Sequence, residues 1–278
     1  MQNKLKYLIA LALVLLNTTL ALAQIQSFDH SKVDSLTLVE TKAIINKISN
    51  DKFEKQIYRL NNQELPYRLL LPKNYDVRNK YPVVITFHNS TRIGNDNEKQ
   101  LEPLSKIWLR SEIYENYNCV VIAPQFNERS SNYSENEKGI LLSKPSDKIN
   151  LVLDLLKEME TEYVNIDKSR IYLVGYSMGA STAQNLLSLA PQKFAAIVSI
   201  AAVPDFSNLK AMKNKNIFLI HGQKDTENPY KGSLKLFDEL KQSKKITFKT
   251  FTELNHDNIN IPLLLSPEIP EWLFKQHK

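Results

Sequence analysis

The pentapeptide Gly175-Tyr176-Ser177-Met178-Gly179 has the composition that turns a serine into a nucleophile. It ends the apolar run "RIYLVGY" and begins the helix-like "MGASTAQNLL", the strand–turn–helix setting of a nucleophile elbow. A serine in such a strained turn has its hydroxyl pushed outward. Glycines two before and two after keep bulk away where strand and helix nearly touch. The turn also aims the Met178 amide and the helix N-terminus at the place where an oxyanion would form. The chain has only six glycines, and two of them bracket this serine.

A serine nucleophile needs a base, and the base needs an orienting acid, in the chain order Ser, Asp or Glu, His. Three histidines follow Ser177: His221, His256 and His277. His277 is next to the last residue. His221 ends a strand-like run inside "LIHGQKD" and reads as a residue shaping the turn at Gly222. His256 lies late in the chain, in the loop "TELNHDN", and its position favours it as base. For the acid, Asp225 follows the penultimate core run, beyond a glycine turn. Asp205, in "AAVPDF" after the preceding run, is the alternative acid. Asp257 adjoins His256, where neighbouring loop side chains seldom face each other. A rival set lies upstream in "TFHNSTRIGND": His88, Ser90 and Asp96 have the same three types but precede the elbow.

These loops need strands to hold them. Short, bulk-apolar runs recur at 81–87, 119–124, 170–176, 194–203 and 216–222, and a sixth, "ITFKTF", spans 246–251. The first five do not alternate, as expected of parallel strands buried on both faces. Helical spacing separates them. From Ser146 to Tyr163 the apolar residues Ile149, Val152, Leu153, Leu156 and Met159 share a face, with Ser146 as N-cap. Further helices are expected over 179–190, 231–242 and 269–276. Strand–helix alternation predicts an α/β fold, a doubly wound and mostly parallel sheet whose site forms at the carboxyl ends of its strands. Upstream, "KQIYRLNNQELPYRLLLP" predicts an antiparallel hairpin turning at "NNQE". One helix fits within 24–54, an N-terminal extension of weak pattern, and the main domain is expected over 55–278.

Composition sets the context. Lys4 and Lys6 precede the apolar stretch Tyr7–Leu16, and Ala21-Leu22-Ala23 follows. This is the layout of a signal peptide over residues 1–23, which implies a secreted or periplasmic protein. The apolar run is shorter than the ~20 residues of a membrane span, so no stable anchor is expected after cleavage. Removing 1–23 leaves 255 residues, room for one α/β domain, and lowers the net charge from +6 to +4. The lysines between 210 and 215 and between 241 and 245 alternate with polar residues and read as solvated surface, not a nucleic-acid groove. The single cysteine, Cys119, sits in "NCVVIAP" and reads as a small buried hydrophobe. No clustered set of metal-ligating residues stands out, and neither a metal nor an organic cofactor is implied.

The chain resembles secreted α/β-hydrolase esterases of the predicted-peptidase, phospholipase/carboxylesterase and feruloyl-esterase-like group. The likeness spans about residues 55–278. Segments that carry it include "LPYRLLLPKNYD", "KYPVVITFHNSTRIGNDNEKQL", "VVIAPQ", "VNIDKSRIYLVGYSMGASTAQNLL", "IFLIHGQKD" and the Asn255-His256 pair. The resemblance implies that Ser177, Asp225 and His256 form a catalytic triad. It also implies that the Ser90 amide joins the Met178 amide in an oxyanion hole, with His88 and Asp96 bracing the loop. The chain departs from the family pattern at Asn89, where a glycine is expected. Asparagine is the residue that best replaces glycine in left-handed backbone. It departs again at 125–146, which is polar, with Phe126 and Tyr133 its only aromatics. The expected activity is hydrolysis of a carboxylic ester on a small molecule or carbohydrate. A serine peptidase of the same fold and a non-catalytic binding protein of the cell envelope are the alternatives.

Overall fold

The computed structural model describes residues 26–162 and 165–278, so the expected signal peptide and the Tyr163 end of the helix expected from Ser146 lie outside the described residues. Eleven strands are present among the described residues: β1 (Gln26–Asp29), β2 (Phe53–Leu60), β3 (Gln63–Leu70), β4 (Tyr81–Phe87), β5 (Val120–Pro124), β6 (Ser131–Glu135), β7 (Leu141–Pro145), β8 (Ile166–Tyr176), β9 (Ala196–Ile200), β10 (Asn216–Gly222) and β11 (Ile246–Phe251). Nine of them form one sheet in the order β1-β11-β10-β9-β8-β4-β5-β3-β2. Every pairing from β1 to β5 is parallel, while β3 runs antiparallel to both β5 and β2.

The bulk-apolar runs are the central strands. β4, β5 and β9 are buried at every residue. Alternate residues feed two cores, one on each face of the sheet. Val83, Ile85, Phe87 and Leu173 pack with Leu155, Leu156 and Leu236 on one face. Val84, Tyr172 and Val174 pack with Trp108, Ile261, Leu263 and Leu273 on the other. Helices on both faces are what the non-alternating strands require. Cys119 is buried in the second core, and that burial pushes its thiol far above the ordinary range.

The N-terminal hairpin forms with a tighter turn than "NNQE" suggests. Gln63 and Glu64 already belong to β3. Asn61 and Asn62 make the turn at φ 49° and 61°, the doubly left-handed geometry for which asparagine is suited. The boundary expected at 54/55 falls inside β2. The preceding segment is built into the same sheet: β1 pairs in parallel with β11, and the helix Ser35–Asn46 starts at Asp34, whose carboxylate accepts from the Thr37 amide. The helix expected from Ser146 is a 3-10 turn, Asp147–Ile149, running into a helix at Asn150–Glu162. Ser146 has N-cap backbone geometry, but its hydroxyl makes no capping bond.

Residues 125–146 carry a second, two-stranded sheet, β6 with β7. Hydrogen bonds fasten it to the helix Met178–Leu189. The Ser130 hydroxyl meets that of Thr182 at 2.8 Å, and Tyr133 meets Ser181 at 3.2 Å. Asn185 accepts from the Ser131 hydroxyl at 2.8 Å and donates to Ser143 at 3.2 Å.

Candidate active site

Because β4, β8, β10 and β11 are parallel, their carboxyl ends lie along one edge of the sheet. From that edge β8 delivers Ser177, β4 delivers Ser90, and the loops after β10 and β11 deliver Asp225 and His256. The sheet is therefore the device that gathers residues up to 166 positions apart in sequence.

Ser177 occupies a left-handed, strained conformation, φ 57° and ψ −124°, with its amide bonded to the Ile200 carbonyl at 2.9 Å. The flanking glycines are needed for approach. A Cβ at Gly175 would stand 2.3 Å from Gly179 backbone atoms, and a Cβ at Gly179 would stand 2.1 Å from the Phe87 carbonyl oxygen. The second contact seats the start of the helix against the end of β4, which leads directly into His88, Asn89 and Ser90.

The Ser177 hydroxyl lies 2.9 Å from His256 Nε2, and His256 Nδ1 lies 2.7 Å from Asp225 Oδ2. Asp225 Oδ1 accepts the backbone amides of Glu227 and Asn228. Its Oδ2 also lies 3.2 Å from His221 Nε2. That nitrogen faces the Asn228 carbonyl, which can only accept, so it carries a proton and donates. Burial alone would raise the Asp225 carboxyl. The bonds from His221 and His256 outweigh it and hold the group well below the usual carboxylate range. An ionised Asp225 fixes the proton of His256 on Nδ1 and leaves Nε2 free to accept from Ser177. Tyr176 braces the His256 loop. Its hydroxyl donates to the His256 carbonyl at 2.8 Å, and the two rings lie 5.0 Å apart.

The other residues singled out in the sequence have separate places. Asp205 is buried with its carboxylate accepting from Asn185 Nδ2 and the Ser207 amide, while its own backbone amide donates to the Gln184 side chain. His221 does more than shape a turn, since it also supports the Asp225 carboxylate. His88 Nδ1 donates to the Asn89 carbonyl and Nε2 accepts the Phe126 amide. Burial lowers its pKa to about 4, so the ring is a neutral strut. Asp96 accepts the Glu98 and Lys99 amides and the Gln125 side chain.

Asn89 departs from the expectation attached to it. Its backbone is extended, φ −76° and ψ 174°, so left-handed tolerance is not what asparagine supplies. It supplies a side chain. Oδ1 accepts the Thr91 amide at 2.9 Å and caps a 3-10 turn, Ser90–Arg92. Nδ2 donates to Glu102 Oε2 at 2.5 Å. Ser90 and Met178 are thus each the first residue of a helical turn, where the backbone amide has no intrahelical acceptor. Glu102 was not foreseen. The available signal was a lone acid inside the apolar run Leu101–Leu104.

Ser177 stands between two clefts. One, of about 330 Å³, runs past Asn89, Glu102, Leu104, Tyr176 and Asn260. The other, of about 420 Å³, runs past Arg129, Asn132, Tyr133 and Asn228. Among the described residues, no group of three or more histidines, cysteines or acids is placed to hold a metal ion.

The strand order and the strained serine turn are those of the α/β-hydrolase fold. A family model described as phospholipase/carboxylesterase matches residues 125–263, half of the chain. The chain belongs to that family. Ser177, Asp225 and His256 fall inside the match, and Ser90 falls outside it. The fold is similar to that of a thermostable esterase, with a TM-score of 0.74 at 27% identity over 82% of this chain and 64% of that one. It is also similar to a ferulic acid esterase of the anaerobic fungus Anaeromyces mucronatus, with a TM-score of 0.58 at 16% identity, covering 76% and 87% of the two chains. A stretch of 74 residues is 35% identical to a bifunctional acetylxylan esterase/xylanase of Neocallimastix patriciarum. That stretch is 27% of this chain and spans 11% of the fungal protein's length.

Proposed function

We propose that the protein is a serine esterase that hydrolyses carboxylic esters through an acyl-enzyme. The observation that carries this reading is the unbroken chain of hydrogen bonds from the Ser177 hydroxyl through His256 to Asp225, set on a strained turn between two clefts. His256 Nε2 takes the Ser177 proton as Oγ attacks the ester carbonyl. The amides of Ser90 and Met178 hold the developing oxyanion. The imidazolium, stabilised by Asp225, returns the proton to the departing alcohol. Water then repeats the sequence on the acyl-enzyme and frees the acid.

The substrate we propose is an acylated carbohydrate outside the cytoplasm. A polar cleft on one side of Ser177, past Arg129, Asn132, Tyr133 and Asn228, suits a hydroxylated substrate, and the mixed cleft on the other side, where Leu104, Ile261 and Leu264 stand beside Asn89 and Tyr176, suits a small acyl group. The leader-like residues 1–23 support export across a membrane. Among the described residues no helix is long and apolar enough to cross one.

The test is fluorophosphonate labelling and turnover of p-nitrophenyl acetate by the mature chain and its Ser177→Ala variant. Labelling and turnover that depend on Ser177 support the reading. A folded wild-type chain that neither labels nor turns over would sink it.

A further inference from the structure

The carboxyl of Glu102 stands in an unusual position. Glu102 precedes Pro103 at the N-cap of a short helix, Pro103–Lys106, yet its side chain does not cap that helix. It reaches instead to the loop after β4. Oε2 accepts both the side-chain amide of Asn89, at 2.5 Å, and its backbone amide, at 3.4 Å. Oε1 is buried without a partner, and the residue is 5% exposed. One acid therefore grips both ends of the residue that precedes Ser90. Asn89 passes that grip on, since its Oδ1 caps the turn whose first amide belongs to Ser90.

We propose that Glu102 is a positioning residue for the oxyanion hole, holding the Ser90 amide in place through Asn89. The inference rests on the esterase reading above, in which that amide binds the oxyanion. It also explains the asparagine. With glycine at 89 the turn would lose its cap, and the carboxyl would lose its main donor.

The protonation state follows from the surroundings. Burial raises the Glu102 carboxyl to about 8, against the pull of the Asn89 backbone bond and of Arg92. The charged and titratable groups facing this cleft are Arg92 from the same loop, Lys42 from the helix Ser35–Asn46, Tyr176, His256, Asp257 and Glu227. A neutral Glu102 accepts both Asn89 bonds without placing charge beside the oxyanion. Its ionisation puts a negative charge there and opposes the reaction.

The experiment compares wild type, Glu102→Gln and Glu102→Leu on p-nitrophenyl acetate, with amide hydrogen exchange of the 88–92 segment read in parallel. Glutamine keeps an acceptor for Asn89, and leucine does not. The Leu variant is expected to lose about 10- to 100-fold in kcat, the scale of a misplaced oxyanion donor, with KM little changed. Its 88–92 amides should exchange faster. The Gln variant should recover most of that loss and should lack the alkaline fall in kcat expected of wild type near pH 8. A Leu variant with wild-type kcat, or Gln and Leu variants equally impaired, would overturn the proposal. If the Leu variant does not fold, the Gln pH profile decides: an alkaline fall identical to wild type overturns the role. A wild-type chain that does not turn over the ester overturns the esterase reading and this role with it. A working wild type beside a working Leu variant overturns the role alone.

Discussion

Gly222 and Leu254 approach so closely that a Cβ at 222 would stand 2.3 Å from the Leu254 carbonyl oxygen. Gly222 ends β10, three residues before Asp225, and Leu254 lies two residues before His256. This contact joins the loop of Asp225 to the loop of His256. Gly222→Ala must push the two apart. It is expected to cost about 1–3 kcal/mol of stability, the usual scale of overpacking, and to lower kcat by lengthening the His256–Asp225 bond. Urea unfolding and steady-state kinetics on the same preparation measure both effects.

Asp225 and Asp205 answer differently to the same change. Asp225→Asn keeps the shape but no longer enforces the Nδ1–H tautomer of His256, and kcat should fall about 10⁴-fold, the scale of the same change in a serine-protease triad. Asp205→Asn touches Asn185 and the helix Met178–Leu189, and should lower the melting temperature while kcat stays near wild type. Equal losses of kcat in the two variants would contradict this assignment.

Asn89→Gly restores the residue expected from the family pattern, and it should weaken this protein. The backbone at 89 is extended and needs no glycine, while the side chain caps the turn Ser90–Arg92. Glycine is itself tolerated at an N-cap, so the lost cap costs only about a few tenths of a kcal/mol, and the larger loss, about 1–3 kcal/mol, comes from leaving the buried Glu102 carboxyl without its Asn89 donor, visible as a lower urea midpoint.

His88 makes stability depend on acidity. Its pKa is about 4 in the folded protein against 6.5 for an ordinary histidine. Between those values the unfolded chain binds the extra proton and the folded chain does not. The contribution of the neutral ring is therefore complete above about pH 6.5 and lost as pH falls toward 4. His88→Gln should show a flatter stability profile across that window when melting temperatures are compared at pH 4.5, 5.5 and 6.5.

Asn185 links Ser131, Ser143 and Asp205 inside the protein. Asn185→Leu leaves those groups without their partner, at a cost of about 1–3 kcal/mol for each that stays unpaired. Limited proteolysis should then cut the turn between β6 and β7, at residues 136–140, faster than in wild type.

The parts legible in the sequence were those dictated by local chemistry. Apolar runs such as "YPVVITF" announced strands buried on both faces. Two glycines around Ser177 announced the elbow, and the order of the remaining acids and histidines pointed to Asp225 and His256, which the fold brings into contact. What escaped was chemistry between distant residues. β1 is four residues, "QSFD", and exists because β11 offers an edge to pair with. β6 is polar and β7 turns polar after Leu141 and Leu142, and hydroxyls and amides of a helix some 50 residues on hold the pair, so neither shows a strand-like apolar pattern. Asn89 looked like a substitute for glycine because its partner, Glu102, lies 13 residues away behind Pro103.

The polar fastening of the β6–β7 hairpin also limits how this protein can be re-engineered. An apolar patch tolerates exchange of one greasy residue for another, whereas a bond from Ser131 to Asn185 requires a hydroxyl at one end and an amide at the other. A hairpin transplanted here from a related hydrolase would arrive without matching partners at Ser181, Thr182 and Asn185. The hairpin and the helix Met178–Leu189 therefore have to be swapped as one cassette, and a library that diversifies residues 131–145 alone would yield mostly misfitted grafts.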